Sequence, residues 1–364
     1  MDNQEKVNYK KILIVNLAGI GDILLCTPAL RALQADYPKA EISFLTTEKV
    51  YEVVKDLPYL HRIYVFSLSY GGKFIFFNLL RHFYILFKLR REKFDLAINM
   101  RTLVSDQGAK KIKFLFKIIN AKKTLGRNTE GRGSFFNIKI PETQNGQKYE
   151  LEYDIDTVGA LGVKVKDKTI DFIIEERDEN NINRLLSGKE LSPDDLLIGI
   201  HPGGMPSRRW PIENFRKIIE LVYKKTKCKF VITGSMPEKN LADRLVNEFP
   251  DYAISFIDKL SIKELGALIK KCRVFISNDT GPMHIAAILG VPLIALFGPG
   301  DITRFDPRNI SKKVKVFYEK VACAPCEKVD CDDLKCMQRI RPEEVVQAIW
   351  EFLIANHIQV NQEG

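Results

Sequence analysis

Two series of short apolar segments, each followed by a helix-like segment, constrain the fold of this 364-residue chain more than any other feature. The first series begins with "KILIVNL", "AEISFLTT", "RIYVF" and "DLAINM", and the second runs from "LLIGIHPG" to "PLIALFG". Strands separated by helices of this length need right-handed crossovers and form parallel sheets. The sequence therefore predicts an α/β protein with two doubly wound domains that face a central cleft.

A polar run, "EERDENN" at residues 175–181, separates the two series. The chain is longer than one compact core normally allows, so two domains are the expected arrangement. We place an N-terminal domain at residues 1–177, a C-terminal domain at residues 178–341, and a last helix within residues 342–364 that packs back across the junction. Ligands of open parallel sheets bind at the carboxyl ends of the strands, so the chemistry is expected in strand-to-helix loops of both domains.

The chain carries no sequence signal for export or for a membrane span. No stretch reaches the roughly 18 uncharged apolar residues that a spanning helix needs. The beginning of the chain, "MDNQEKVNYKK", contains no apolar signal core. These features predict a cytoplasmic protein. Its seven cysteines are then expected to be reduced or bound to metal rather than paired in disulfides.

Positive charge is concentrated in one stretch of the N-terminal half. Residues 71–125 hold thirteen Lys and Arg against three acidic residues, an excess of +10 that equals the net charge of the whole chain. The same stretch contains "FIFFNLLRHFYILFKLRR", which is dense in Phe, Leu and Ile. Basic residues beside an apolar face indicate a surface that meets anionic lipid, but a core helix with a solvated basic face fits equally well. Nucleic acid is not expected as a partner, because no recognised binding module is visible.

The first apolar segment ends in a glycine turn, "GIGD", at residues 19–22. Leu24 stands where the third glycine of a dinucleotide-binding loop is due, and no Lys-Ser or Lys-Thr pair follows, so neither a dinucleotide loop nor a nucleoside-triphosphate loop is predicted. Gly19 and Gly21 instead form a tight turn that brings the backbone close to a ligand, with Asp22 directly after it. Asp22 either caps the helix that begins there or points into the cleft and acts as a general base.

Two loops of the C-terminal half have the composition of a ligand site. In "HPGGMPSRRWP", at residues 201–211, two glycines let the loop close on a ligand, and Arg208 and Arg209 offer guanidinium groups suited to phosphate oxygens. An ordinary solvated arginine is the alternative for one of the pair. The loop "GSMPEKN" carries Glu238, which either accepts from a ribose hydroxyl or caps its own helix.

A third loop, "SNDTGPMH" at residues 277–284, follows a later strand. Its candidate ligand-binding residues are Asp279, Thr280, Gly281 and His284. The N–H groups of Thr280, Gly281 and Met283 lie at a helix N-terminus, which is a natural seat for a diphosphate. A lone histidine in such a turn is more often a structural hydrogen-bonding residue than a catalyst.

These blocks, in this order, resemble those of glycosyltransferase family nine, the bacterial heptosyltransferases of lipopolysaccharide core synthesis. The matching text is "GIGDILLCTPALRAL", "IHPGGMPSRRWPIENF", "VITGS" and "FISNDTGPMHIAAILGVPLIALFGP". The resemblance implies a GT-B fold, in which an N-terminal acceptor domain and a C-terminal donor domain are both Rossmann-like. It also implies an inverting, metal-independent transfer, without a cofactor, from a nucleotide-diphosphate sugar such as ADP-heptose to a lipid A–Kdo type acceptor.

The resemblance further implies roles for particular residues. The family's catalytic acid corresponds to Asp22, its phosphate-binding cation to Arg208 and its donor motif to the "NDTGPMH" block. Many relatives have Lys where this chain has Arg208, and Arg keeps the charge but changes the geometry. The acid that holds the donor's nucleoside corresponds to Glu238 or, in another alignment of the loop, to Met236, so the donor's base stays open. The acceptor would be an anionic glycolipid at the inner face of the cytoplasmic membrane, which gives the basic stretch a partner.

Four cysteines close to the C-terminus have the spacing C-x₂-C-x₄-C-x₄-C. They are Cys323, Cys326, Cys331 and Cys336. Such thiols bind a structural zinc or an iron–sulfur cluster, or they remain reduced or form a redox-dependent pair. For the function, the alternatives are a family-nine transferase with another nucleotide sugar or glycan acceptor, and a non-catalytic nucleotide-sugar-binding protein. An oxidoreductase is disfavoured by the missing third glycine.

Overall fold

The computed structural model describes residues 7–66, 75–143, 146–189, 191–192, 194–326 and 328–355, with only the backbone of residues 75–79. The chain divides into two compact units, Met1–Ile173 and Ile174–Gly364. The part of the basic stretch at residues 71–74 lies outside the described residues. The same holds for residues 356–364 of the predicted C-terminal segment.

The first unit, over its described residues, forms a six-stranded parallel sheet with helices between the strands. Its strands β1 to β6 are Lys11–Val15, Glu41–Thr47, Arg62–Phe66, Leu96–Asn99, Lys123–Thr129 and Ile138–Glu142. Its helices α1 to α6 are Ile20–Leu25, Thr27–Asp36, Tyr51–Val54, Ile75–Arg91, Asp106–Ile119 and Glu150–Gly159. The order across the sheet is β3-β2-β1-β4-β5-β6, and each neighbouring pair is parallel. This is the strand order of a Rossmann-like sheet.

The second unit repeats this topology in the residues that the structure describes. Its strands β7 to β12 are Leu197–His201, Lys229–Ile232, Ala253–Ser255, Val274–Asn278, Leu293–Phe297 and Val314–Tyr318. Its helices α7 to α14 are Glu176–Ser187, Ile212–Thr226, Lys239–Glu248, Ile262–Lys271, Gly281–Ile288, Ile302–Phe305, Lys335–Gln338 and Pro342–Ala355. The order across the sheet is β9-β8-β7-β10-β11-β12. The predicted α/β class with two doubly wound sheets is confirmed.

The order of each sheet reverses between two central strands, β1 and β4 in the first unit and β7 and β10 in the second. Val15 pairs with Asn99, and Ser277 pairs with His201. The loops that follow these strands therefore leave the same edge of their own sheet. In open parallel sheets this switch point is where ligands bind. The "GIGD" turn follows β1, and the "HPGG" and "NDTG" loops follow β7 and β10.

The helix after the first glycine turn is interrupted. α1 ends at Leu25, Cys26 follows, and α2 begins at Thr27 with Pro28 in its first turn. Proline has no N–H to donate, so the first turn of a helix is where its ring is tolerated. The interruption leaves α1 as a helix of six residues directly behind the turn.

Trp210 anchors the "HPGG" loop to the core of the second unit. Its side chain is 2% exposed, its indole N–H donates to the Ile340 carbonyl at 3.1 Å, and its ring packs edge-on against Phe215. α8 begins two residues later at Ile212. The last helix, α14, packs against α8 within the same core.

Large apolar side chains line the outward face of α4. They are Leu80, Phe83, Tyr84 and Phe87. Their spacing of i, i+3, i+4 and i+7 places them on one side of the helix, and each is between 51% and 68% exposed. Ile85 and Leu89 are buried in the core of the first unit. Exposed Lys88 and Arg91 lie over the rings of Tyr84 and Phe87, so the exposed face of α4 is apolar as well as basic. Within the described part of the chain, no helix combines the length and the apolar character that crossing a membrane requires.

Candidate active site

The turn between β1 and α1 places Asp22 at the switch point of the first unit. Asn16 follows β1, and its side-chain oxygen accepts from the Ala18 N–H at 3.2 Å. Gly19 then adopts φ −81° and ψ 178°, a conformation open to any residue. A Cβ at Gly19 would lie 3.5 Å from Asp22 Oδ2. Gly19 is therefore needed for the space that it leaves beside the carboxylate and not for its backbone conformation.

Asp22 is the third residue of α1, and its Oδ2 accepts from the Gly19 N–H at 3.1 Å. The capping contact considered from the sequence is thus present. Burial nevertheless raises the pKa of Asp22 from 3.8 to about 6, and the charge of Glu150 adds to the rise, whereas Arg101 and the Gly19 N–H oppose it. A helix-capping carboxylate ordinarily has a lowered pKa. Here burial outweighs the cap, so the group titrates close to neutral pH.

The first unit also contains a fully buried arginine, Arg127 of β5, with three carboxyl partners. Its guanidinium donates to Glu142 at 3.2 Å and, in shorter contacts, to Glu150 and Asp154 of α6. Burial raises the pKa of Asp154 well above its usual range, although the Arg127 charge opposes the rise. This cluster was not singled out in the sequence, because isolated charges in a strand and in a helix resemble surface residues.

In the second unit, three loops meet so closely at the carboxyl ends of the strands that they need glycines. A Cβ on Gly203 would lie 2.8 Å from Glu238 Cγ and 3.0 Å from His201 Nε2. A Cβ on Gly204 would lie 2.6 Å from Thr280 Cγ2. Gly204 also has φ +117°, which favours glycine over other residues. The two glycines expected to let this loop close on a ligand also let it close on its neighbouring loops.

Asn278, the last residue of β10, ties the "HPGG" loop in place. Its side-chain N–H groups donate to the carbonyls of Pro202 and Gly203, both at 2.9 Å. Its side-chain oxygen accepts from the Trp210 N–H at 3.2 Å. Asn278 was not among the residues predicted from the sequence. Its only signal was its position between the strand and the "DTG" run.

Arg208 and Asp279, both predicted donor-side residues, form an ion pair. Arg208 Nη1 lies 2.8 Å from Asp279 Oδ2, and both side chains are largely buried. A Cβ at Gly300, three residues after β11, would lie 2.0 Å from the same carboxylate oxygen, so this position needs glycine for the pair to form. The loops after β7, β10 and β11 therefore converge on one charged contact.

Arg209 and Glu238 lie beside this pair. Arg209 donates from Nε to the Gly204 carbonyl at 2.9 Å, and its Nη2 is 3.8 Å from Glu238 Oε1. Glu238 Oε2 accepts from the Ser235 N–H at 2.8 Å, so the capping contact considered from the sequence exists. Burial acts to raise the pKa of Glu238, but the Ser235 hydroxyl and N–H more than offset it, and the pKa is lowered. Glu238 is thus an ionised acceptor that also orders its own loop.

Two buried histidines line the same region. His284 is 3% exposed, and its Nδ1 has no hydrogen-bond partner among the described residues. Burial, with the charge of Arg208, lowers the pKa of His284 to about 4. His201 ends β7, its Nδ1 is 3.2 Å from Thr233 Oγ1, and burial lowers its pKa to about 4. Both rings are therefore neutral at pH 7 and each holds one N–H donor. His201 was not singled out in the sequence.

The N-terminus of α11 lies at the end of the "NDTG" loop. Thr280 is the residue before the helix, and Gly281 is its first residue. The expectation that the Met283 N–H is free for a ligand is wrong, because it donates to the Thr280 carbonyl at 3.1 Å. The Thr280 hydroxyl donates to the Asn278 carbonyl at 3.2 Å. Of the three N–H groups that were expected to bind an anion, those of Thr280 and Gly281 therefore remain as candidates.

The cysteine-rich segment packs against the donor-side loops. The Cys326 N–H donates to the Pro299 carbonyl at 3.0 Å, and the Ser207 N–H donates to the Val329 carbonyl at 3.1 Å. A Cβ at Gly298 would lie 3.4 Å from Cys336 Sγ. All four cysteines are free thiols. No three His, Cys, Asp or Glu side chains of the described residues are arranged to hold a metal ion.

Comparison with known proteins connects this geometry to one enzyme family. The model of glycosyltransferase family 9 (heptosyltransferase) matches residues 85–337. The lipooligosaccharide heptosyltransferase 2 of Campylobacter jejuni subsp. jejuni serotype O:2 is 25% identical over 361 residues, which cover 96% of this chain and 100% of that protein.

Solved structures share the fold. Escherichia coli ADP-heptose LPS heptosyltransferase II superposes with a TM-score of 0.73 at 18% identity, over 95% of this chain and 99% of that one. The family 9 glycosyl transferase from Veillonella parvula gives a TM-score of 0.79 at 22% identity, over 97% and 100% of the two chains. The resemblance noted in the sequence and the GT-B fold that it implied are confirmed. This chain belongs to glycosyltransferase family 9 (heptosyltransferase) and is a glycosyltransferase.

Proposed function

We propose that this protein is an inverting heptosyltransferase that moves a heptose from ADP-heptose to a lipopolysaccharide inner-core acceptor of the lipid A–Kdo type. The observation that carries the proposal is Asp22, a partly buried carboxylate after β1 whose pKa is about 6. A base is most effective when its pKa is close to the working pH. Asp22 meets this condition at neutral pH, whereas an ordinary aspartate is a much weaker base.

In the proposed reaction Asp22 removes the proton from an acceptor hydroxyl. The hydroxyl oxygen attacks the anomeric carbon of the heptose, and the bond from that carbon to the diphosphate breaks. ADP leaves with the electron pair on the opposite face of the sugar, so the configuration at the anomeric carbon inverts. The proton on Asp22 then passes to solvent. General-base catalysis of this kind typically contributes about 10²- to 10⁴-fold to the rate.

The donor's diphosphate is proposed to bind between Arg208 and the N-terminus of α11. Arg208 supplies a fixed positive charge, and Thr280 and Gly281 stand where the helix dipole favours an anion. His284 is buried and neutral, so it offers hydrogen bonds without competing charge. These groups would stabilise the charge that grows on the leaving diphosphate. Arg209 adds a second cation, and Glu238 accepts from the ribose.

The names of the relatives support the proposed donor and acceptor. The E. coli relative is named as an ADP-heptose LPS heptosyltransferase, and the Campylobacter relative as a lipooligosaccharide heptosyltransferase that matches nearly the whole chain. Shared family and full-length coverage support the same classes of donor and acceptor for this protein.

A donor screen tests the substrates. Purified protein is incubated with ADP-heptose, or with other sugar nucleotides, in the presence and absence of a Kdo–lipid A acceptor, and released nucleoside diphosphate is measured. Release that needs both ADP-heptose and the acceptor is the expected result. Release with a different sugar nucleotide would assign another donor, and binding without any release would indicate a non-catalytic binder.

Substitution of the proposed base tests the mechanism. Asp22→Asn should lower turnover at least about a hundredfold while the dissociation constant for the donor stays close to that of the wild type. Asp106→Asn is the matched control, because Asp106 is an exposed carboxylate in the first turn of another helix of the same unit. Near-normal turnover of Asp22→Asn would contradict the role of Asp22.

The enzyme is further proposed to act in the cytoplasm while bound peripherally at the inner face of the cytoplasmic membrane. The apolar face of α4 supports this, because Phe83, Tyr84 and Phe87 are exposed on a helix that also carries Lys88 and Arg91. α5 packs beside α4. It adds exposed Phe114 and a row of exposed lysines, Lys110, Lys111, Lys113 and Lys117. Exposed aromatic rings among cations are typical of surfaces that bind anionic lipid.

Vesicle sedimentation tests this surface. Binding to phosphatidylglycerol-containing vesicles is expected to weaken as salt rises. Phe83→Ala should weaken it at all salt concentrations, and Lys110→Gln with Lys113→Gln should weaken it mainly at low salt. Lys312→Gln with Lys313→Gln, at exposed positions of the second unit, is the charge control. Equal binding by the control and by the Lys110 and Lys113 variant would count against the proposed surface.

A further inference from the structure

The cysteine-rich segment, residues 323–336, is a sequence motif that the proposed function does not use. Where the structure describes them, residues 319–334, between β12 and α13, form neither helix nor strand. Two neighbouring carbonyls of the segment accept from the same residue of the "HPGG" loop, Ser207. Its N–H donates to the Val329 carbonyl at 3.1 Å, and its hydroxyl donates to the Lys328 carbonyl at 2.5 Å. Ser207 is therefore attached to the segment at two points.

Ser207 is the middle residue of the turn that presents Arg208. Pro206–Arg208 forms a single 3₁₀ turn, and the Arg208 N–H donates to the Met205 carbonyl at 2.8 Å. Proline fixes φ at the first position of the turn. Ser207 is 0% exposed, so its hydroxyl is closed to a ligand. The two hydrogen bonds of Ser207 thus fix the backbone from which the Arg208 side chain leaves.

The same segment also supports the loop on the other side of the donor-side ion pair. The Cys326 N–H donates to the Pro299 carbonyl at 3.0 Å. Pro299 directly precedes Gly300, whose missing side chain leaves room for the Asp279 carboxylate. At its end the segment is anchored, because Cys336 is buried in the core of the second unit. The segment therefore connects the core to the loops after β7 and β11.

We propose that Ser207 is the positioning residue through which the cysteine-rich segment holds Arg208 in place for the donor's diphosphate. Ser207 does not touch the nucleotide in this role, and it acts only through Arg208. The inference rests on the proposed function of Arg208 as the diphosphate-binding cation. It gives the cysteine-rich segment a part in donor binding, which its backbone carbonyls perform.

The first test is the affinity for ADP, measured by calorimetry with the full-length protein. Ser207→Ala removes the hydrogen bond to the Lys328 carbonyl and leaves the N–H bond to the Val329 carbonyl in place. Arg208 should then adopt further conformations, and the dissociation constant rises as the fraction competent to bind falls. The loss of one such hydrogen bond corresponds to a dissociation constant about two- to tenfold higher.

Two comparisons separate positioning from a purely structural role. Thr226→Val is the matched control, because the Thr226 hydroxyl also donates to a backbone carbonyl, at the end of α8 far from the "HPGG" loop. Its affinity for ADP should equal that of the wild type. In an Arg208→Gln background, Ser207→Ala should cause no further loss of ADP affinity, because two residues that act through one contact are not additive.

Hydrogen exchange tests the segment in the unaltered protein, and it decides the question if Ser207→Ala does not fold. Coupling between two sites is reciprocal, so a segment that favours ADP binding is itself stabilised when ADP binds. The amides of residues 323–336, the Cys326 N–H among them, should exchange more slowly at saturating ADP. Arg208→Gln at saturating ADP should not show this slowing. Exchange that ADP leaves unchanged in the wild type, or slowing that persists in Arg208→Gln, would overturn the inference.

The outcomes also separate this inference from the proposed function. If Arg208→Gln weakens ADP binding but folded Ser207→Ala only melts at a lower temperature, the role of Ser207 is overturned and that of Arg208 stands. If the losses of affinity multiply in the double variant, Ser207 acts by another route than Arg208, and the inference is again overturned. If Arg208→Gln binds ADP as the wild type does, both proposals fall together.

Discussion

Asp22→Asn is expected to stabilise the first unit at neutral and alkaline pH although it should also lower turnover. Burial raises the pKa of Asp22 from 3.8 to about 6, a shift of about two units at 1.36 kcal/mol each. Keeping this carboxylate ionised in the folded state therefore lowers the free energy of unfolding by about 3 kcal/mol above pH 6. Asparagine has the same shape and still accepts from the Gly19 N–H, but it never ionises. The substitution removes the destabilisation and retains the cap.

The pH dependence has a definite sign. Because the pKa is raised in the folded state, that state binds more protons than the unfolded state between pH 3.8 and about pH 6. The wild type's free energy of unfolding therefore falls as the pH rises through this window. Below pH 3.8 Asp22 is protonated in both states, and the wild type and Asp22→Asn should differ little. Above pH 6 the variant should be more stable by up to about 3 kcal/mol.

Urea denaturation at pH 4 and pH 8, followed by far-ultraviolet circular dichroism, measures the difference. Trp210 and Trp350 are the chain's two tryptophans and both lie in the second unit, so tryptophan fluorescence would not report on Asp22. Hydrogen exchange of the β1 and α1 amides assigns any change to the first unit. A stability difference that is the same at both pH values, or one shared by Asp106→Asn, would refute the reasoning.

Three other outcomes are expected. Arg208→Gln should weaken ADP binding in calorimetry by about tenfold or more, because one charged contact is lost, whereas exposed Arg216→Gln should leave it unchanged. Gly300→Ala should lower the melting temperature, since its Cβ would lie 2.0 Å from Asp279 Oδ2; an unchanged melting curve would argue against this packing. Wild-type kcat/KM should fall about tenfold per pH unit below pH 6 as Asp22 is protonated, and a flat profile down to pH 4.5 would contradict its role.

The central part of both sheets could be predicted because strands covered on both faces are continuous apolar runs. β1 reads "KILIV" and β10 reads "VFISN", and both are almost wholly buried. β5 and β6 were not predicted, because neither is a continuous apolar run. They read "KTLGRNT" and "IKIPE" and lie at the outer part of their sheet, where polar residues are tolerated.

In the candidate site, too, some residues could be predicted from the sequence and others could not. Asp22, Arg208 and Asp279 were recognisable because each stands next to glycine or after an apolar strand, where loops meet ligands. Arg127 and Glu150 were not, because nothing local shows that a strand arginine and a helix glutamate meet in the core, and only the packing of α6 brings them together. The exposure of the α4 aromatic residues likewise depends on which face the neighbouring helix covers.

The ion pair between Arg208 and Asp279 bears on the last step of the proposed cycle. A nucleoside diphosphate that binds Arg208 competes with a carboxylate that already lies 2.8 Å away. Nucleotide binding must separate the pair, and the free energy that this costs lowers the affinity for the nucleotide. The pair re-forms when the nucleotide leaves. Release of product often limits turnover in enzymes. Asp279 would then accelerate the release of ADP. A variant without this carboxylate would bind the nucleotide more tightly and turn over more slowly.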